Sequence, residues 1–145
     1  MTSSNRGYEY TVYLQEHQEM YQELDLRMQE LSKNKVKIDR ESLLANIHKL
    51  LAYVSSLLEE HFEPEEKTLF DQILAKEPSK SKIIQRLITD HQEIREKEAQ
   101  LRANLNEFSK ASNEEIKTKL LFPAYNLIGT LSHHGMREDR ELFTT

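Results

Sequence analysis

The sequence predicts an all-α chain folded as an up-down-up-down antiparallel four-helix bundle, and three observations predict it. Of 145 residues only three are Gly and three Pro, while Glu, Lys, Leu and Gln abound, a balance far toward helix. Four stretches carry apolar residues at spacings of three and four, and the short breaks between them make neighbouring helices antiparallel. The chain also repeats itself. Glu16-His17-Gln18-Glu19-Met20 matches Asp90-His91-Gln92-Glu93-Ile94 at an offset of 74, and His134 follows His61 by 73. Two helical hairpins of one design are therefore expected to fill residues 1–145 as a single domain, long enough to bury a real core.

The first helix is expected from about Tyr8 to Leu31, with a stripe of Tyr10, Tyr13, Leu14, Met20, Tyr21, Leu24, Met28 and Leu31 and with His17 inside it. The polar run Ser32 to Lys37 should end it. Asp39 reads as the N-cap of the second helix, whose stripe of Leu43, Leu44, Ile47, Leu50, Leu51, Val54, Leu57 and Leu58 continues into His61, Glu65, Thr68 and Leu69. Pro64 removes one helical hydrogen bond, so a kinked but continuous helix is expected there, at up to about 3 kcal/mol; Pro123 should bend the fourth helix similarly. Lys76 to Ser81 closes the second helix. The third stripe is Ile84, Leu87, Ile88, His91, Ile94, Ala99, Leu101 and Leu105. Ser112 and Glu115 read as a capping box for the fourth, which carries Leu120, Leu127, Leu131, His134, Glu138 and Leu142.

One pattern is written twice: His61-Phe-Glu-Pro-Glu65 followed by Leu69-Phe70, and His134-Gly-Met-Arg-Glu138 followed by Leu142-Phe143. Four residues advance a helix by about 400°, so each imidazole and its carboxylate lie about 40° apart on one face. With no cysteine, a metal has to be held by His and carboxylate. The inward stripes of a bundle bring such residues to a central site. His17, His61, His91, His134, Glu65 and Glu138 are the candidate ligands, for iron, manganese or zinc. His17 with His61 on one ion, His91 with His134 on the other, and the two glutamates as bridges is the pairing expected. Four imidazoles and two carboxylates are costly in an apolar core unless a cation accompanies them.

Other residues are expected elsewhere. His48, 13 residues before His61 and so about 220° away round the helix, should face outward. His133 is turned about 100° from His134 and has Arg137, not an acid, four residues on. Glu16, Glu66 and Asp90 adjoin the ligands but point to other faces, in solvated or supporting roles. Tyr21 and Arg95 lie four residues beyond His17 and His91, over the pocket or in ordinary packing and pairing.

These motifs resemble the hemerythrin-like, or HHE, domains, which are non-haem di-iron four-helix bundles, over nearly the whole chain. The resemblance implies a dinuclear iron cofactor and a small diatomic ligand such as oxygen or nitric oxide. Oxygen carriers of that family have another His one turn after the third-helix His, where this chain has Arg95. The resemblance thus points to the branch linked to sensing oxygen, nitric oxide or peroxide, or to handling iron under oxidative or nitrosative stress. In the carriers the last helix supplies an Asp five residues after its His; Asp139 stands there, as the alternative to Glu138.

Three rival functions remain: an oxidase, peroxidase or nitric oxide reductase at the same site, a haem bundle, and a metal-free helical interaction module. Against haem stand the two carboxylates four residues after the histidines and the lack of small residues along the stripes. A net charge of −5 favours neither nucleic acid nor anionic lipid as a partner. The start lacks an apolar leader and no run approaches a membrane span, so a cytoplasmic protein is expected.

Overall fold

The computed structural model describes the backbone of residues 2–143 and the side chains of residues 12–143, and it consists of four helical rods. The first is α1 (Thr2–Val36). The second runs from α2 (Arg40–Leu57) through π-helical turns at Leu58–Phe62 and Glu65–Leu69 into α3 (Phe70–Lys76). After a 3-10 turn at Pro78–Lys80, α4 (Ser81–Phe108) is the third. The fourth joins α5 (Asn113–Ile116), a π turn at Lys117–Leu121, α6 (Phe122–Arg137) and a last π turn at Glu138–Leu142. Rods consecutive in the chain pack together, and the fourth closes the ring on the first. This is the up-down-up-down bundle, with no strand among the described residues.

The Asp39 cap forms, accepting from the Ser42 N–H, and at Ser112 the N-cap half of the expected box forms, accepting from the Glu115 N–H, each at 3.3 Å. The first rod outruns its expected end, because Ser32 to Val36 contains no Gly or Pro and Lys33 and Lys35 suit a helix C-terminus. Asn34 is buried on that extra turn. Leu14 and Ile88, both placed on inward stripes by spacing, are 38 % and 41 % exposed, at the edges of their faces. Tyr8 and Tyr10 lie outside the described side chains.

Pro64 keeps helical angles, φ −62° and ψ −33°, and the chain runs on through it. The turn before it is widened, with the Glu63 N–H donating to the Leu58 carbonyl. Pro123 has the same device, Phe122 N–H to Lys117 carbonyl. A wider turn accommodates the missing N–H and the ring's clash with the carbonyl four residues back. The other two π turns need no proline. Each begins at the repeated Glu and ends with the repeated Phe donating to that Glu's carbonyl, Phe70 to Glu65 and Phe143 to Glu138. The extra residue in the turn lets Glu, Leu and Phe of both copies be buried together. Thr68, expected on the inward stripe, is turned out to solvent.

Two apolar clusters fill the bundle. The larger includes Leu24, Ile47, Leu50, Phe62, Ile94, Leu127 and Leu131. The smaller holds Leu69, Phe70, Ile73, Ile84, Leu87, Leu142 and Phe143. On the first, third and fourth rods one His separates the members of the two clusters, and on the second the change comes between Phe62 and Leu69, at Glu65, so the polar residues form a layer between them. No described helix is long and apolar enough to cross a membrane.

Candidate metal centre

The layer contains the six side chains that spacing had turned inward. His17, Glu65, His91 and Glu138 are fully buried, and His134 and His61 are 1 % and 6 % exposed. Each rod contributes one imidazole, and the second and fourth add a carboxylate from the widened turns. Donor atoms of His17, His61, Glu65 and Glu138 lie within 4.8 Å of one another, and so do those of Glu65, His91, His134 and Glu138. Nε2 of His17 is 3.6 Å from Glu138 Oε1, and Nε2 of His61 is 3.9 Å from Glu65 Oε2. On the other side, Nε2 of His91 is 3.4 Å from Glu65 Oε1 and Nε2 of His134 is 2.8 Å from Glu138 Oε1. The two Nε2 atoms of His91 and His134 approach to 2.9 Å, and two imidazoles bound at right angles to one ion by bonds of about 2.1 Å stand about 3 Å apart.

The donor set fits a cation on a second count. Nε2 of His17 and of His61 are buried with no hydrogen-bond partner, and the buried oxygens of Glu65 and Glu138 face only one another and the inward imidazoles. Buried polar atoms are almost always fully paired, so two orphaned imidazole nitrogens and two buried carboxylates turned toward one another mark a place where positive charge belongs. The pKa shifts have the same origin. Burial first, then the charge of Glu138, pushes the Glu65 carboxyl well above its ordinary value. Burial opposes ionisation of Glu138 too, but Glu65 and His134 hold its carboxylate and its pKa falls. Burial would lower His134, yet Asp90 and Glu138 raise it to about 9. His91 is lowered to about 4 by burial and then by His134, and burial lowers His61 as well.

Behind the inward nitrogens, a carboxylate faces Nδ1 of every histidine, always from the neighbouring rod. Glu16 of the first rod is 2.8 Å from His61, and Glu66 of the second is 3.3 Å from His91. Asp90 of the third is 3.2 Å from His134, and Asp139 of the fourth is 2.6 Å from His17. The ring runs once round the bundle and closes. An acid on Nδ1 fixes the imidazole with Nε2 inward and strengthens it as a donor.

The hemerythrin HHE cation-binding domain model matches residues 9–145. The chain belongs to the hemerythrin HHE cation-binding domain family. No curated protein and no solved structure gives a match. Family membership and the buried His and Glu groups together make this HHE domain a metal-binding bundle.

The residues doubted on spacing stay out of this HHE domain's centre. His48 and His133 are exposed, and His133 Nε2 meets Arg137 Nη2 at 3.0 Å. Asp139, the alternative to Glu138, turns instead to His17 Nδ1 and accepts from the Tyr21 hydroxyl at 2.8 Å. Arg95 donates twice to Glu66 and does not enter the donor groups. Spacing left Glu16, Glu66 and Asp90 undecided between solvated and supporting roles. Their position one residue from an inward residue was the available signal.

Proposed function

We propose that this HHE domain is a cytoplasmic non-haem di-iron protein that binds or senses a small diatomic ligand, oxygen or nitric oxide. His17 and His61 hold one ion, His91 and His134 the other, and Glu65 and Glu138 bridge them. The observation that carries this reading is that the two donor quartets share both glutamates and neither histidine pair. Two imidazoles and an oxygen from each glutamate give an ion about four donors, two fewer than an octahedral site takes, so each position has room for an exogenous ligand. Iron suits this mixed imidazole and carboxylate set; manganese and zinc suit it less specifically.

Access and charge support the same use. A cavity of about 660 Å³ reaches His134 and one of about 390 Å³ reaches His61. Arg95, paired to Glu66, stands where oxygen carriers of the family have a further His, which favours sensing over carriage.

Elemental analysis of protein purified without chelator and then reconstituted with iron(II) tests the reading. Two equivalents are expected; less than about one, with none taken up on reconstitution, refutes it. Stopped-flow mixing of the reduced protein with oxygen or nitric oxide tests the role. A stable adduct supports binding, while repeated turnover with a reductant makes the site an enzyme's.

A further inference from the structure

On the dinuclear reading above, we infer that the two metal positions are unequal, and that the one between His17 and His61 is the tighter and fills first. The difference lies in the charges behind the imidazoles. Each carboxylate on an Nδ1 adds basicity and negative charge beside the bound cation. At the His91 and His134 position both carboxylates are cancelled. Arg95 donates to the two oxygens of Glu66 at 3.2 and 2.7 Å, and Arg137 holds both oxygens of Asp90 at 2.7 and 2.6 Å.

At the His17 and His61 position, among the described residues, no cation pairs with either carboxylate. Asp139 has only the neutral phenol of Tyr21 besides His17, and Glu16 has only His61. Two negative charges therefore stay uncancelled there. The surfaces agree: the cavity over His61 is walled by Glu16, Glu19, Glu23 and Glu60 with no Lys or Arg, whereas in the cavity over His134 Arg86 and Arg137 offset Asp90 and Glu93. Water screens Glu16, whose side chain is 45 % exposed, but screening only weakens a charge, whereas a guanidinium in contact cancels it.

Titrating the metal-free protein with zinc, and following the imidazole nitrogens by NMR, tests the order. The first equivalent should move the Nε2 resonances of His17 and His61 and leave His91 and His134 in place, with dissociation constants at least about tenfold apart. Glu16→Gln should weaken the first step by about 10–100-fold and spare the second. Arg95→Gln, which uncovers the Glu66 charge, should tighten the second step severalfold. All four imidazoles moving together, His91 and His134 moving first, or an unchanged second step in Arg95→Gln overturns the order. No zinc uptake at all refutes instead the dinuclear reading beneath it.

Discussion

Glu65→Gln should stabilise the metal-free protein and remove most of the stability that metal adds to it. Glu65 is wholly buried, Glu138 is its hydrogen-bond partner, and the charge of Glu138 acts on it. Its pKa is raised above the ordinary 4.5, so the folded state holds the proton longer than the unfolded chain, and stability falls as pH rises above 4.5. Glutamine has nearly the same shape, does not ionise, and offers an N–H to Glu138. The relief near neutral pH is about 1–3 kcal/mol, because the amide keeps the contact with Glu138 without having to ionise or to hold a proton against its pKa. Metal reverses the balance. At about 100 times the dissociation constant the native protein gains about 2.7 kcal/mol, and a hundredfold weaker variant gains only about 0.4 kcal/mol. Urea denaturation in chelator and in excess zinc measures both quantities. A variant less stable than the native protein in chelator would mean that Glu65 is a structural residue, and the reasoning would fail.

Three further outcomes follow from named contacts. His61→Ala or His134→Ala should lower metal content and His48→Ala should not; equal loss in all three would show that facing does not decide ligation. A Cβ on Gly135 would stand 2.7 Å from Met20 Cε and 2.8 Å from the Tyr21 hydroxyl, and nothing lies within 4 Å of one on Gly129. Both substitutions gain up to about 1 kcal/mol of helix propensity, but Gly135→Ala should lose that gain or more by displacing Met20 and Tyr21, so Gly129→Ala should be the more stable of the two, a contrast that thermal melts resolve. His134, raised to about 9, stabilises the metal-free fold fully below the unfolded value near 6.5 and loses that contribution as pH rises to 9. His134 alone should therefore lower metal-free stability by about 3 kcal/mol over that window. Bound metal, which needs His134 deprotonated, should flatten the slope, and denaturation at a series of pH values checks it.

The bundle, its two caps and the meeting of six inward side chains were legible because a regular helix turns spacing into facing. The widened turns were not. A π turn shifts every later residue by one position round the rod, which is why Thr68 was misplaced and why Phe70 and Phe143 reached the core. No residue type announces such a turn when proline is absent, but its recurrence at Glu65 and Glu138 shows that the repeat extends to the backbone.

The ring of outer carboxylates could have been read, given one more step. Glu16 and Asp90, on the first and third rods, precede an inward His by one residue; Glu66 and Asp139, on the second and fourth, follow an inward Glu by one. One residue is a turn of about 100°, so each acid faces sideways toward an adjacent rod. Adjacent rods run in opposite directions, and a step back along one rotates the same way about the bundle axis as a step forward along the next. All four acids are therefore displaced in one sense, and each meets the histidine of the next rod round. In a bundle of parallel rods the same sequence would send two of them the wrong way, so the closed ring depends on the antiparallel order as much as on the acids.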